Sequence, residues 1–169
     1  MTYYSKYSTP FGDVIIICNE KSLTGVYFYS SRYFPVEANY VSANDSCEII
    51  AKTKKWFDIY FSGKCPDFDL PLEISGTDFQ KKVWCIISQI PYGKTVTYGE
   101  IAARLSAQNG GKKVSCQAVG HAVGKNKISI IIPCHRVIGA NGEMKGYAGG
   151  IEKKIKLLSL EKENSTEDN

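Results

Sequence analysis

The feature that most constrains this chain is the segment Ile131–Val137, which reads Ile-Ile-Pro-Cys-His-Arg-Val. The apolar residues before Pro133 predict a buried strand. Proline lacks a backbone N–H and has a fixed φ, so it ends the strand and turns the chain outward. A cysteine is a strong nucleophile only as a thiolate, which a neighbouring base or positive charge favours. His135 and Arg136 carry those groups, so Cys134 is a candidate nucleophile, with an inert core cysteine beside an exposed histidine as the alternative.

Positive charge is concentrated in the second half of the chain. The 169 residues carry a net charge of +4, but residues 1–74 hold 7 Lys and Arg against 9 Asp and Glu, whereas residues 75–162 hold 14 against 5. Such a basic segment can neutralise DNA phosphates and release their counterions. A well-solvated basic surface has the same composition, so charge alone leaves both interpretations open.

Cysteine and histidine usage argues against disulfides and metal sites. The six cysteines form no CxxC pair, which predicts free thiols in a reducing cytosol. With only two histidines, His121 and His135, a four-ligand zinc site is not expected, and Cys116 with His121 is at most half of one. The start of the chain lacks a signal-peptide pattern, and no apolar run approaches the roughly 18 residues of a membrane span. We therefore expect a cytoplasmic protein with no metal and no membrane contact.

The first 75 residues predict a small α/β unit with a structural role. Apolar residues between Ile49 and Phe61 recur at helical spacing behind Ser46, a candidate N-cap, so one helix should cover a face of a sheet. Lys64–Ser75, which contains two prolines, is typical of an extended connector. Three β-branched and aromatic runs predict the sheet as an antiparallel meander: Tyr3–Tyr7, Val14–Cys18 and Leu23–Tyr29.

Residues 76–162 predict a helical domain. Two segments, Thr77–Gln80 and Thr97–Glu100, fit capping boxes, in which a hydroxyl and a side chain three residues later satisfy free amides at a helix start. A third helix is expected over about Ser115–Gly124, so the order is helix, loop, helix, with a longer loop than a standard helix-turn-helix has. Beyond this domain, Glu163–Asn169 is polar and is expected to be a flexible tail.

The third predicted helix has a surface of small residues, Ala118, Gly120 and Ala122. Small side chains let a helix backbone approach another surface closely, which fits either core packing or contact with a ligand such as DNA. Lys112 and Lys113 lie in the loop that precedes this helix, and the small residues taken alone favour core packing.

Further segments occur in the same order as in one known family. Together with the Cys134 segment, they resemble the DNA-repair alkyltransferases that act on guanine O6, the methylated-DNA–protein-cysteine methyltransferases. The resemblance is specific from about Gly76 to Glu161 and looser over residues 1–75. It implies a ribonuclease H-like α/β N-terminal domain, followed by a C-terminal domain with a winged helix-turn-helix-like motif. The segments that carry it are Gly76–Gln80 with Val83 and Trp84, Ile90–Tyr98, Ala118–Gly120, Asn126 and Gly146–Gly150.

The resemblance also implies a reaction. An alkyl group on O6 of guanine, and also on O4 of thymine, is transferred in duplex DNA to Cys134 of the protein itself. The target nucleotide is first rotated out of the base stack into a pocket. The transfer is irreversible and single-turnover, and it needs no cofactor. A monomer is expected to bind the DNA through the minor groove.

Residue roles follow from the same resemblance. Cys134 is the nucleophile, His135 takes its proton through a water, and Glu161 orients that histidine, as in hydrolytic triads. Arg136 is counted with the DNA-binding residues, although we expect it mainly to anchor the turn. The substrate-binding residues are Tyr98, Asn126, Val137, Tyr147, Ala148 and Gly149, and the other DNA-binding residues are Lys112, Lys113, Gln117, Ala118, Gly120 and Ala122.

Gln117 departs from the family pattern, in which an arginine at this position fills the gap left by the rotated nucleotide. Glutamine is also long and polar, so it can enter the stack; the alternative is a solvent-facing helix residue. Two other functions remain open. A non-enzymatic sensor of alkylated DNA belongs to the same superfamily but carries tryptophan at the nucleophile position, and a cysteine hydrolase would have no use for the basic segment.

Overall fold

The computed structural model describes residues 1–35 and 39–165 and contains a four-stranded sheet, a two-stranded sheet and five α-helices within those ranges. The strands are β1 (Tyr3–Thr9), β2 (Gly12–Cys18), β3 (Leu23–Phe28), β4 (Val41–Ser42), β5 (Val96–Thr97) and β6 (Val137–Ile138). The helices are α1 (Glu48–Phe61), α2 (Asp78–Ser88), α3 (Tyr98–Gln108), α4 (Cys116–Gly124) and α5 (Ile151–Ser165).

The predicted meander is confirmed and is extended by one strand. β1, β2 and β3 pair antiparallel, and β4 joins β1 in parallel, so the order is β3-β2-β1-β4. β4 was not predicted, because two exposed residues carry no alternation of apolar and polar side chains. α1 packs across β1 and β2, as its apolar spacing predicts. Its N-cap is Cys47 rather than Ser46, and the Cys47 side chain makes no capping hydrogen bond.

The outer edge of β3 carries two isolated parallel bridges. Leu23 pairs with Leu72 of the connector, and Val26 pairs with Ile128. Ile128 belongs to the loop that leads to Cys134, so the N-terminal sheet is hydrogen-bonded directly to the segment that carries the candidate nucleophile.

Both predicted capping boxes form. Thr77 Oγ1 accepts from Gln80 N at 3.1 Å and Gln80 Oε1 accepts from Thr77 N at 3.0 Å; Thr97 and Glu100 repeat the arrangement at 3.1 and 2.7 Å. Such caps stabilise a helix start by about 1 kcal/mol, so α2 and α3 begin where their local sequence dictates. α4 follows, with Ser115 as its N-cap, and packs on both helices.

One hydrophobic core runs from β2 and α1 of the N-terminal half to α2, α3, α4 and α5. α5 extends through Ser165, so the prediction of a flexible tail is wrong for Glu163–Ser165. Two contacts hold this end of the helix: Asn164 Nδ2 donates to Leu160 O at 2.7 Å within α5, and the Asn164 side chain lies against Gly63, just after α1. The remaining tail residues, 166–169, lie outside the described ranges. No helix within the described ranges has the length and apolar composition needed to cross a bilayer.

Candidate active site

The segment before Cys134 is a buried turn, not the predicted strand. Ile131 N donates to Ser129 O at 2.8 Å, and Ile132 N donates to Ile128 O at 3.1 Å. Ile130 has a φ of +72°, a left-handed conformation that is strained for a β-branched residue. These residues are apolar because the turn is buried. They do not form a strand, because the hydrogen bonds of the turn and the φ of Ile130 are incompatible with extended backbone.

Asn126 holds this turn together from inside. Its Nδ2 donates to Ile132 O at 2.9 Å and to Ile128 O at 3.3 Å, and its Oδ1 accepts from Ile128 N at 3.0 Å. The same Nδ2 lies 3.1 Å from Cys134 Sγ. Asn126 thus fixes the backbone around the thiol and also provides a donor to the sulfur.

Cys134 starts a 3₁₀ turn, Cys134–Arg136, directly after Pro133. The thiol is buried, with 5% of the residue exposed, so the proline does not turn it out to solvent. Burial raises the pKa of Cys134, and the Asn126 amide, the Lys154 charge and nearby backbone amides act in the opposite direction. These opposing groups are the ones that would stabilise a thiolate at this position.

His135 and Glu161 form a fully buried pair. His135 Nε2 donates to Glu161 Oε2. Burial would raise the pKa of Glu161, but the hydrogen bond from His135, the charge that His135 carries when it is protonated at low pH, and the charge of Arg136 bring it down to about 2. Burial lowers the pKa of His135 against the opposing effect of Glu161. Around neutral pH the carboxylate is therefore ionised and the imidazole neutral, which leaves Nδ1 as the basic nitrogen.

Glu161 is held by three more donors. Arg136 Nε donates to its Oε1 at 2.6 Å, Gly93 N donates to the same oxygen at 3.1 Å, and Tyr60 Oη donates to Oε2 at 2.7 Å. Arg136 also donates to Ile90 O at 2.7 Å, so its guanidinium is bound internally. This geometry supports the anchoring role of Arg136 over a direct contact with DNA. Tyr60 was missed as a site residue because its helical spacing on α1 is that of an ordinary core aromatic.

Lys154 is a second residue that the sequence did not reveal. Its Nζ is buried and donates to Val137 O at 2.6 Å and to Lys145 O at 2.8 Å. Burial lowers the pKa of Lys154 to about 8, and the proximity of Cys134 opposes the shift. The available signal was its place on the buried stripe of α5, three residues before Leu157 and seven before Glu161.

The segment Tyr147–Gly150, called the lid below, holds three of the predicted substrate-binding residues. Tyr147 and Gly149 are buried and Ala148 is half-buried. Burial raises the pKa of Tyr147 well above its usual range, and the charge on Cys134 adds to the rise. Tyr98 is half-buried at the start of α3, and burial followed by the Cys134 charge raises its pKa as well. Cys134 therefore lies close enough to both Tyr98 and Tyr147 to influence them electrostatically.

The predicted DNA-facing helix exposes only part of the predicted surface. Gln117 is exposed, and Ala118 and Gly120 are half-buried, with Gly120 next to the Tyr98 ring. Lys112 and Lys113 are exposed in the loop before α4. Ala122 does not belong to this face: it is buried, and its carbonyl accepts a hydrogen bond from Trp84 Nε1 at 2.9 Å. The alternation of small residues predicted a continuous surface, but at helical spacing Ala122 points into the core.

Across residues 1–35 and 39–165, no group of three or more His, Cys, Asp and Glu side chains is arranged to hold a metal ion. Cys116 and His121 are both exposed on α4.

Comparison with known proteins places both halves of the chain. Residues 2–74 match the family described as 6-O-methylguanine DNA methyltransferase, ribonuclease-like domain, and residues 78–163 match the DNA-binding domain of the same name. A methylated-DNA–protein-cysteine methyltransferase of Methanosarcina barkeri is 40% identical over 163 residues, which cover 96% of this chain and 98% of that protein. One from Haemophilus influenzae is 40% identical over 95% of this chain and 86% of that protein.

Solved structures give the same result for the fold. The crystal structure of Mycobacterium tuberculosis O6-methylguanine methyltransferase is 37% identical and superposes with a TM-score of 0.85, covering 97% of this chain and 94% of that one. The M. tuberculosis protein in complex with DNA is 36% identical, with a TM-score of 0.81 over 96% of this chain and 94% of that one. The predicted α/β class, with a ribonuclease-like half and a DNA-binding half, is thereby confirmed. The chain belongs to the methylated-DNA–protein-cysteine methyltransferase family.

Proposed function

We propose that this protein removes the alkyl group from O6-alkylguanine, and from O4-methylthymine, in duplex DNA by transferring it to Cys134. The observation that carries the proposal is the state of His135. Its Nε2 is bound to an ionised Glu161, and its Nδ1 is buried without a hydrogen-bond partner in the described part of the chain. A neutral imidazole whose Nδ1 accepts no hydrogen bond from these residues, on the residue next to Cys134 in sequence, can serve as the base for that thiol.

The reaction starts with a proton transfer. Cys134 passes its proton through a water to His135 Nδ1, and the imidazolium so formed is stabilised by the Glu161 carboxylate. The remaining thiolate is stabilised by the Asn126 amide at 3.1 Å and by the positive charge of Lys154. A positive charge near the sulfur lowers the free energy of the thiolate more than that of the thiol, which offsets part of the rise in the Cys134 pKa that burial causes and leaves His135 to take the proton.

The thiolate then attacks the alkyl carbon in line with the bond to O6. A carbon–sulfur bond forms, the carbon–oxygen bond breaks, and its electron pair remains on the base. The Tyr147 hydroxyl and the Ala148 amide donate to the leaving guanine, which stabilises the charge that develops there. The leaving guanine takes up one proton, which balances the proton that Cys134 gave to His135, so the base leaves uncharged. The thioether is a poor leaving group, so each molecule of protein acts once.

DNA is the partner of the second half of the chain. We propose that α4 enters the minor groove with Gln117 at the base stack, where it occupies the gap left by the rotated nucleotide. Lys112 and Lys113 neutralise phosphates, and the Tyr98 ring crowds the 3′ phosphate of the target. The protein is proposed to act as a monomer inside the cell. Residues 76–162 would form the reacting domain and residues 1–75 its support.

An intact-mass experiment tests the proposal. The protein is incubated with a duplex that contains one O6-methylguanine and then digested for peptide mapping. We expect one methyl group on Cys134 and an amount of repaired DNA equal to the amount of protein. Binding of the duplex with no change in mass would identify a damage sensor instead. Repeated turnover with an unmodified Cys134 would identify a hydrolase.

A further inference from the structure

We infer that Phe28, the last residue of β3, and Ser30, two residues beyond it, position the lid over Cys134 and so set the rate of alkyl transfer and the size of alkyl group that Cys134 accepts. The inference rests on the proposed function and deepens it, because it gives the N-terminal half a defined part in the reaction. Neither residue touches the reacting atoms; both act through the lid, Tyr147–Gly150.

β3 is also hydrogen-bonded to the turn that leads to Cys134, on the side of the site away from the lid. Val26 N donates to Lys127 O at 2.9 Å, and Ser129 N donates to Val26 O at 3.0 Å. This bridge fixes the turn that Asn126 organises around the thiol. Phe28 lies two residues further along the same strand, so one short rigid segment contacts both the turn and the lid.

Phe28 supports the lid by direct packing. Its ring is fully buried and meets the Tyr147 ring edge to face, with 6.4 Å between centroids and 69° between planes. A Cβ atom at Gly149 would lie 2.7 Å from the Phe28 ring, so the lid backbone rests against the aromatic face with no space between them. Phe28 therefore limits how far Tyr147 and Gly149 can move away from Cys134.

Ser30 fixes the lid by hydrogen bonding. Its Oγ donates to Gly149 O at 3.0 Å and accepts from Lys153 Nζ at 2.8 Å. The Lys153 ammonium also lies 5.3 Å from the centroid of the Phe28 ring, and Lys153 N donates to Gly150 O at 3.1 Å. An ammonium that donates to the serine oxygen makes the serine O–H a better donor to Gly149. Two successive lid carbonyls are therefore held, that of Gly149 by Ser30 and that of Gly150 by Lys153.

Lid position matters because donors help only at hydrogen-bonding distance from the charge that develops on the leaving base. Displacement of a positioned group by about 1 Å is enough to slow a reaction by about a hundredfold. Loosening the lid should therefore reduce transfer of a methyl group. It should also favour a bulky alkyl group relative to methyl, because the pocket wall can retreat.

The experiment measures single-turnover transfer from a methylated duplex and from free O6-benzylguanine. Ser30→Ala should lower the methyl-transfer rate by about fivefold, equivalent to one lost hydrogen bond, with an unchanged Kd for the duplex. Ser30→Thr keeps the hydroxyl and should restore the rate. The matched control is Thr24→Val, which removes another hydroxyl-to-carbonyl bond, Thr24 Oγ1 to Ile17 O, from a residue within β3 and away from the lid, and should leave the rate unchanged.

Phe28→Leu is compared with Phe57→Leu, because Phe57 is an equally buried phenylalanine on α1. Both variants should lose stability, and only Phe28→Leu should raise the ratio of benzyl to methyl transfer, by about threefold or more. The lid inference would be overturned by an equal ratio of benzyl to methyl transfer in Phe28→Leu and Phe57→Leu, or by a Ser30→Ala rate equal to wild type. In either case, alkyl transfer by the wild-type protein would still uphold the proposed function. If neither substrate alkylates Cys134 of the wild-type protein, the proposed function itself is overturned.

Discussion

Replacement of Glu161 with glutamine isolates the charge behind His135. The side chain keeps its size, but the ionised acceptor shared by His135, Arg136 and Tyr60 is lost. The carboxyl pKa of about 2, against an ordinary 4.5, corresponds to about 3 kcal/mol of preference for the ionised form in the folded protein, at about 1.4 kcal/mol per pH unit. We expect Glu161→Gln to be less stable by up to about that amount at neutral pH, where His135 is neutral and adds no charge to the stabilisation.

The same substitution should slow alkyl transfer about a hundredfold to ten-thousandfold, because an amide neither stabilises the imidazolium nor fixes the neutral tautomer with Nδ1 free. Single-turnover rates on methylated duplex give the rate effect, and urea denaturation gives the stability. The control is Tyr60→Phe, which removes one donor to Glu161 but keeps the charge, and should cost about 1 kcal/mol with less than a tenfold loss of rate. A folded Glu161→Gln variant with the wild-type rate would remove Glu161 from the mechanism.

The pH dependence of stability provides a second readout of that charge. The pKa of Glu161 is lowered in the folded state, so its stabilisation is complete above the ordinary pKa of 4.5 and is lost as the pH falls towards about 2. Wild-type unfolding free energy should therefore drop more steeply between pH 4.5 and 2 than that of Glu161→Gln. Parallel curves for the two proteins across this window would contradict the assignment.

Three other substitutions test neighbouring parts of the site. Cys134→Ala should abolish transfer yet retain binding of methylated DNA in a gel-shift assay, and demethylation by this variant through Cys116 or Cys85 would sink the assignment. Gln117→Ala should slow repair in duplex DNA far more than transfer from free O6-benzylguanine, which needs no rotation of a nucleotide; an equal loss on both substrates would mean a structural role. Lys154→Met should move the pH profile of transfer to higher pH, because the ammonium lowers the pKa of Cys134, and an unmoved profile would exclude that influence.

The parts of the fold that could be predicted from sequence are those decided locally. The capping boxes at Thr77 and Thr97 form as predicted, because each uses only residues within one helical turn. The N-terminal meander follows from alternation and turn residues in the same way. The turn before Cys134 could not be predicted, because its shape depends on the Asn126 side chain, which satisfies several backbone groups at once, and on the pairing of Ile128 with Val26 of β3, which is distant in sequence.

The candidate site divides along the same line. The Cys134 and His135 pair is adjacent in sequence, and the resemblance supplied Glu161. Lys154 and Tyr60 carry no local mark of their role, since an amphipathic pattern shows only that a position is buried. Ala122 shows the opposite error, since it was predicted to face DNA and is in fact buried. A small residue suits close packing against Trp84 in the core as well as a close approach to DNA.

The bridge between Val26 and Ile128 also bears on how the sheet avoids self-association. An open strand edge is a template for pairing with another chain, and proteins protect such edges by covering or shortening them. The edge of β3 is covered by Leu72 of the connector and by the turn that leads to Cys134, while the opposite edge ends in the two-residue strand β4. The turn that builds the active site therefore also covers a sheet edge. Damage to this turn would uncover backbone groups that favour aggregation, so solubility and activity depend on the same few residues.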